Sequence, residues 1–166
     1  MTVERCAECG FDGSSWTDAT ALTAIDGLPA QWSRAIADLS DELLGRRPIP
    51  ATWSIAEYTD HVRETVFGMR FVLETVLNSP GADLGKPPEP LFTVEPRVID
   101  VQQSFEAFVD EVRQLSERLR GISTDAWDSW VIIDSEHVDI HWIARHAVHD
   151  VTHHILDVER LRAALE

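Results

Sequence analysis

His146-Ala147-Val148-His149-Asp150-Val151-Thr152-His153-His154-Ile155-Leu156-Asp157 holds four of the chain's seven histidines and two aspartates within twelve residues. On a continuous helix, residues four apart share a face, so His146/Asp150, Asp150/His154, His149/His153 and His153/Asp157 are all candidate pairs of metal ligands. The apolar register selects among them. At about 100° per residue, Ile140, Ala147, Val151, Ile155, Val158 and Leu165 cluster in one arc. With the centre of that arc as zero, His154 falls roughly 40° away and Asp150 roughly 80°, whereas His153 lies about 140° away and His149 near the opposite pole. Asp150 and His154 therefore border the buried stripe, and His149 and His153 look outward as supporting or surface positions. A solvated polar face would account for the histidines as a group. It does not account for a carboxylate and an imidazole at a core edge, which need partners there. A metal ion with a further ligand from another helix would be such a partner.

Working outward, Asp139 is placed to cap this last helix, which the pattern carries to about Leu165. Just before it, Ser123 to His137 is the stretch with strand character, a β-branched run beside Trp127 and Trp130, and reads as a short strand or extended connector. The spacing of Phe105, Phe108, Val112, Leu115 and Leu119 predicts a third helix over about 101–119, ended by Gly121. Between Asn78 and Arg97 lie five of the eight prolines, the mark of a long irregular crossover loop. Ser54 with Glu57 three residues later has the form of a capping box and opens a second helix that continues to about Leu77. Tyr58, His61 and Thr65 lie beside its apolar face. A first helix is expected from Asp18 or Thr20 to about Leu44, with Pro29 breaking or delaying its start.

The N-terminal extension, residues 1–17, carries both cysteines. Cys6-Ala-Glu-Cys9-Gly10 has the spacing of a zinc knuckle but supplies only half of a tetrahedral site. His137 and His141, four residues apart, are candidates for the other half; a plain pair of thiols is the alternative reading.

Residues 1–166 fit one domain of ordinary size. The formal net charge of −15 argues against nucleic acid or an anionic membrane as a partner. The cysteine usage, the absence of an apolar signal segment and the lack of a membrane-length apolar run lead to the expectation of a soluble, cytoplasmic protein. Four amphipathic helices with a long connection between the second and third predict an all-α four-helix bundle. A metal site would lie between its second and fourth helices.

Trp53-Ser54-x-x-Glu57-x-x-x-His61 on the second helix, together with His149-Asp150-x-x-His153-His154-x-x-Asp157 on the last, resembles the DinB superfamily. The N-terminal Cys6-x-x-Cys9-Gly10-Phe11-Asp12 is similar to its actinobacterial branch. The resemblance implies an up-down-down-up bundle holding a divalent metal, zinc or nickel. It further implies ligands at His61, Asp150 and His154, with Asp150 standing where many members have histidine, as in the superfamily's mycothiol-dependent isomerases.

The first functional expectation is thus a metal-dependent thiol S-transferase, using mycothiol or another low-molecular-weight thiol on a small electrophile. Glu57 or Tyr58, one turn before His61, would supply a proton or orient the ligand. The alternative is a non-catalytic, metal-stabilised binding or stress-response scaffold that forms a homodimer through apolar faces left around Trp32 and Trp142. A metal buffer is a third reading, drawn from the histidines and the acidic surface.

Overall fold

The structure, a computed structural model, describes residues 3–86 and 95–165. Four long helices dominate it: α1 (Asp18–Ile36), α3 (Ile55–Asn78), α4 (Val101–Arg120) and α5 (Ile140–Leu165), with a short α2 (Asp41–Gly45) after α1. Around the bundle α1 packs beside α5 and α4, and α3 beside α4 and α5. A single apolar cluster fills the interior, built from residues at helical spacing such as Ile25, Leu28 and Trp32, Val62, Val66 and Leu73, Phe108, Val112 and Leu115, and Ile143, Ala147 and Val151. Trp32 is fully buried and donates its indole N–H to Thr59 Oγ1 at 3.2 Å, joining α1 to α3 through the core. It therefore leaves no apolar face for a partner, and Trp142, half-buried, stacks on His146.

The first helix is shorter than its apolar spacing suggests. Thr17 rather than Asp18 caps it, in a box with Thr20, and the helix runs through Pro29 without a break. It stops at Ile36 because Arg162 of α5 donates Nη1 to the carbonyls of Ala35 and Ala37 at 2.8 and 3.0 Å, satisfying chain-end acceptors that another turn would have used. Asp38 then turns with φ 61°, and Ser40 starts α2.

The strand-like stretch forms an antiparallel hairpin, β1 (Trp130–Ile133) and β2 (Glu136–Asp139), so the expectation of an all-α chain is corrected by this small sheet. Its two-residue turn places Asp134 and Ser135 at φ 49° and 68°, the left-handed pair whose twist matches that of the strands. The start of the α3–α4 connection is tied to β1: Gly81 and Leu84 donate to the carbonyls of Trp130 and Ile132, and Ile132 donates back to Ala82. The proline-rich centre of the expected crossover, residues 87–94, lies outside the described residues. Asp139 caps α5 as expected, accepting from the Trp142 amide at 2.7 Å. Among the described residues no helix is long and apolar enough to cross a membrane.

Candidate metal centre

The capping box of α3 fixes where its first turn begins. Ser54 accepts from the Glu57 amide, and Glu57 Oε2 accepts from the Ser54 amide at 2.9 Å. His61, one turn beyond Glu57, then faces α5. Its Nε2 lies 4.0 Å from Asp150 Oδ2, and His154 Nε2 lies 3.8 Å from Asp150 Oδ1. One ligand atom from each of His61, Asp150 and His154 falls within 4.8 Å of the others. Ligands on a tetrahedral ion with ~2.1 Å bonds sit ~3.4 Å apart, so a small inward movement of the side chains would seat one.

Three features of these side chains suit a cation. Asp150 Oδ2 is buried and has no hydrogen-bond partner, which for a carboxylate oxygen is costly unless a positive charge faces it. His154 Nδ1 lies 2.9 Å from Asp157 Oδ2, and the carboxylate there can only accept, so the ring donates through Nδ1 and presents Nε2, with its lone pair, to Asp150 and His61. Burial pushes the His61 imidazole below its ordinary pKa, against the pull of Asp150, which favours the neutral form that a metal ligand requires.

An aromatic wall closes one side. Trp53 lies 4.8 Å from the His61 ring and 5.3 Å from Tyr58, and Tyr58 lies 5.1 Å from the His154 ring. Burial first, and the Asp157 carboxylate second, push the Tyr58 phenol up to about 12, so at neutral pH it keeps its proton and can donate a hydrogen bond.

Glu57 does not face the centre. Its side chain is fully buried, with Oε2 accepting from Arg47 Nε at 2.8 Å and Oε1 from the Arg97 amide at 3.1 Å. Burial alone would raise its pKa, but Arg47 and the Ser54 and Arg97 amides hold it at about 2. It is a structural anion: it joins the α2–α3 loop and the approach to α4 onto the first turn of α3. Of the two expected proton-transfer candidates, Glu57 and Tyr58, only Tyr58 borders the candidate ligands, through the His154 ring.

His149 and His153 are not solvent-facing. The helical register correctly sets them apart from the core, but the N-terminal extension covers that side of α5. Phe11 stacks on His149 at 4.5 Å, and Glu4 Oε1 accepts from His149 Nδ1 at 2.8 Å and from His146 Nδ1 at 2.9 Å. Cys6 and Cys9 lie beside this pair. His137 and His141 do not join the cysteines: His137 stacks on Trp130 at 4.1 Å, and His141 Nδ1 meets Asp18 Oδ1 at 2.7 Å. The part played by Glu4 has no local signature in the sequence, whereas Asp157 could be read from its place three residues after His154.

Four long helices around one core, with two imidazoles and a carboxylate converging between α3 and α5, define a four-helix-bundle protein with a candidate metal centre. The family model of the DinB superfamily matches residues 24–158, and the chain belongs to that superfamily. Among solved structures it is similar to YfiT from Bacillus subtilis, described as a probable metal-dependent hydrolase with an unusual four-helix bundle topology. That likeness has a TM-score of 0.72 at 13% sequence identity and covers 88% of this chain and 87% of the other. No curated protein sequence matches the chain.

Proposed function

We propose that the protein is a divalent-metal-dependent enzyme that activates a low-molecular-weight thiol of the mycothiol type for transfer to a small electrophile. The observation that carries this reading is the buried, unpartnered Asp150 oxygen facing His61 and His154. Two imidazoles and one carboxylate suit zinc or nickel. A divalent ion held by three protein ligands keeps an open position, where a thiol or water becomes acidic near neutral pH. Asp157 fixes the His154 ring, Trp53 limits access of water, and the protonated Tyr58 hydroxyl donates a hydrogen bond to the charge that develops on the electrophile. In this reading the protein works in a reducing cytoplasm, and the helices run up-down-down-up, with a long crossover between the second and third long helices.

The likeness to YfiT supports hydrolysis as a second use of the same centre, with water in place of the thiol. A non-catalytic scaffold that dimerises draws its support from Phe67 and Phe71, exposed one turn apart on α3. One experiment separates the three. Metal-loaded protein is incubated with a panel of electrophiles and simple esters or amides, with and without mycothiol, while thiol and product are followed. Thiol consumption that is lost in His61→Ala supports the transferase. Turnover without thiol selects the hydrolase. No turnover and no mycothiol binding sinks both, and loss of a dimer in Phe67→Ser/Phe71→Ser then supports the scaffold.

A further inference from the structure

The N-terminal extension contains a tight turn that carries both cysteines. Cys6 N–H donates to the Phe11 carbonyl at 2.9 Å, closing the loop, and Gly10 takes φ 74°, a conformation costly for any residue with a Cβ.

Two imidazoles of α5 meet this turn. Cys6 Sγ lies 3.5 Å from His153 Nδ1. His149 Nε2 is buried and has no hydrogen-bond partner, and because Nδ1 donates to Glu4 it is Nε2 that carries the lone pair. The Cys6 and Cys9 sulfurs and one nitrogen from each of His149 and His153 all lie within 4.8 Å of one another. Sulfurs on a tetrahedral zinc with ~2.3 Å bonds are ~3.8 Å apart, so the four donors are near the required spacing. A carboxylate holding the far nitrogen of a ligating histidine is the usual support of such a site, and Glu4 occupies that place for His149.

We propose that Cys6, Cys9, His149 and His153 form a second metal site, a closed structural site for a thiophilic divalent ion such as zinc, distinct from the centre of His61, Asp150 and His154. The ligand set is complete, with two thiolates balancing the ion's charge, so no position is left for substrate. His149 binds through Nε2 and His153 through Nδ1. The ion fastens the N-terminal extension across the side of α5 opposite the core. The two sites share a neighbour: the Asp157 oxygen bonded to His154 Nδ1 also lies 3.8 Å from His153 Nε2.

The test uses the full chain, reduced, stripped with a chelator and titrated with cobalt(II). Wild type is expected to take up two equivalents, one of them with the near-ultraviolet charge-transfer absorption of thiolate bound to tetrahedral cobalt. His149→Ala/His153→Ala should lose that absorption and one equivalent while keeping the other. His61→Ala should keep the absorption and lose the other equivalent. A wild-type protein without the absorption, or a double histidine variant that retains it, overturns the second site. A missing His61-dependent equivalent counts against the first centre alone. Should the double variant not fold, alkylation of native wild type decides: zinc must slow modification of Cys6 and Cys9, and equal rates with and without zinc overturn the proposal.

Discussion

At the scale of single residues, Asp150 sets function against stability. Its unpartnered buried oxygen burdens the metal-free protein and is relieved by a cation. Asp150→Asn is therefore expected to leave the apoprotein at least as heat-stable as wild type while removing the rise in Tm on adding zinc, as read by thermal denaturation with and without metal. Glu57 carries the opposite weight. Removing one partner of its buried pair with Arg47 costs about 3–5 kcal/mol, so Glu57→Gln should be among the most destabilising single changes at neutral pH. Because folding lowers the Glu57 pKa to about 2, its contribution is complete above the ordinary carboxyl value of ~4.3 and fades as pH falls from there toward 2. Urea unfolding of wild type and Glu57→Gln should thus differ strongly at pH ~7 and much less at pH ~3. Asp150 and His154 are legible in the sequence because the 3.6-residue period orders every side chain on α5 against the core. The same period says that His149 and His153 point away from the core, but not that Phe11 and Glu4 meet His149 there, or Cys6 His153, from a segment without periodicity.

At the scale of elements, α3 is specified locally and α1 is not. The Ser54/Glu57 box marks the start of α3 by contacts within four residues, so sequence suffices to find it. Ser54→Ala should cost about 1 kcal/mol through the lost cap, a fall in Tm of ~2–4 °C at this chain length. A larger fall would mean that Glu57 had also lost its grip on Arg47. The end of α1 depends instead on Arg162, over a hundred residues away in the chain, whose guanidinium takes the carbonyls of Ala35 and Ala37. No local pattern announces such a stop, and the apolar spacing through Leu39 and Leu43 continues past it, which is why the helix reads as reaching Leu44. The hairpin is intermediate: Val131, Ile132 and Ile133 announce a strand, but its turn uses Asp134-Ser135 rather than the Asn-Gly or Asp-Gly pair that signals two residues at positive φ.

For the molecule as a whole, amphipathic periodicity makes the four-helix architecture legible, and chemical grouping makes the candidate cluster of His61, Asp150 and His154 legible. The second cluster is half visible, since Cys6 and Cys9 announce themselves while the choice between His137/His141 and His149/His153 depends on how the extension crosses the bundle. Metal that binds only the folded protein stabilises it by mass action, about 2.7 kcal/mol for each site at a hundredfold excess over Kd. Stripping the protein with a chelator should therefore lower Tm, and restoring zinc should return it, with a smaller recovery in His61→Ala. The contact between Glu4 and His149 joins residues 145 positions apart, and contacts of such separation form late, after loop closure has been paid for by the rest of the fold. During synthesis the turn bearing Cys6 and Cys9 leaves the ribosome long before α5 exists to receive it. For that interval its thiols have no imidazole neighbours from α5, so the nascent chain meets oxidants and competing metals with a pair of cysteines that the finished protein keeps against its last helix.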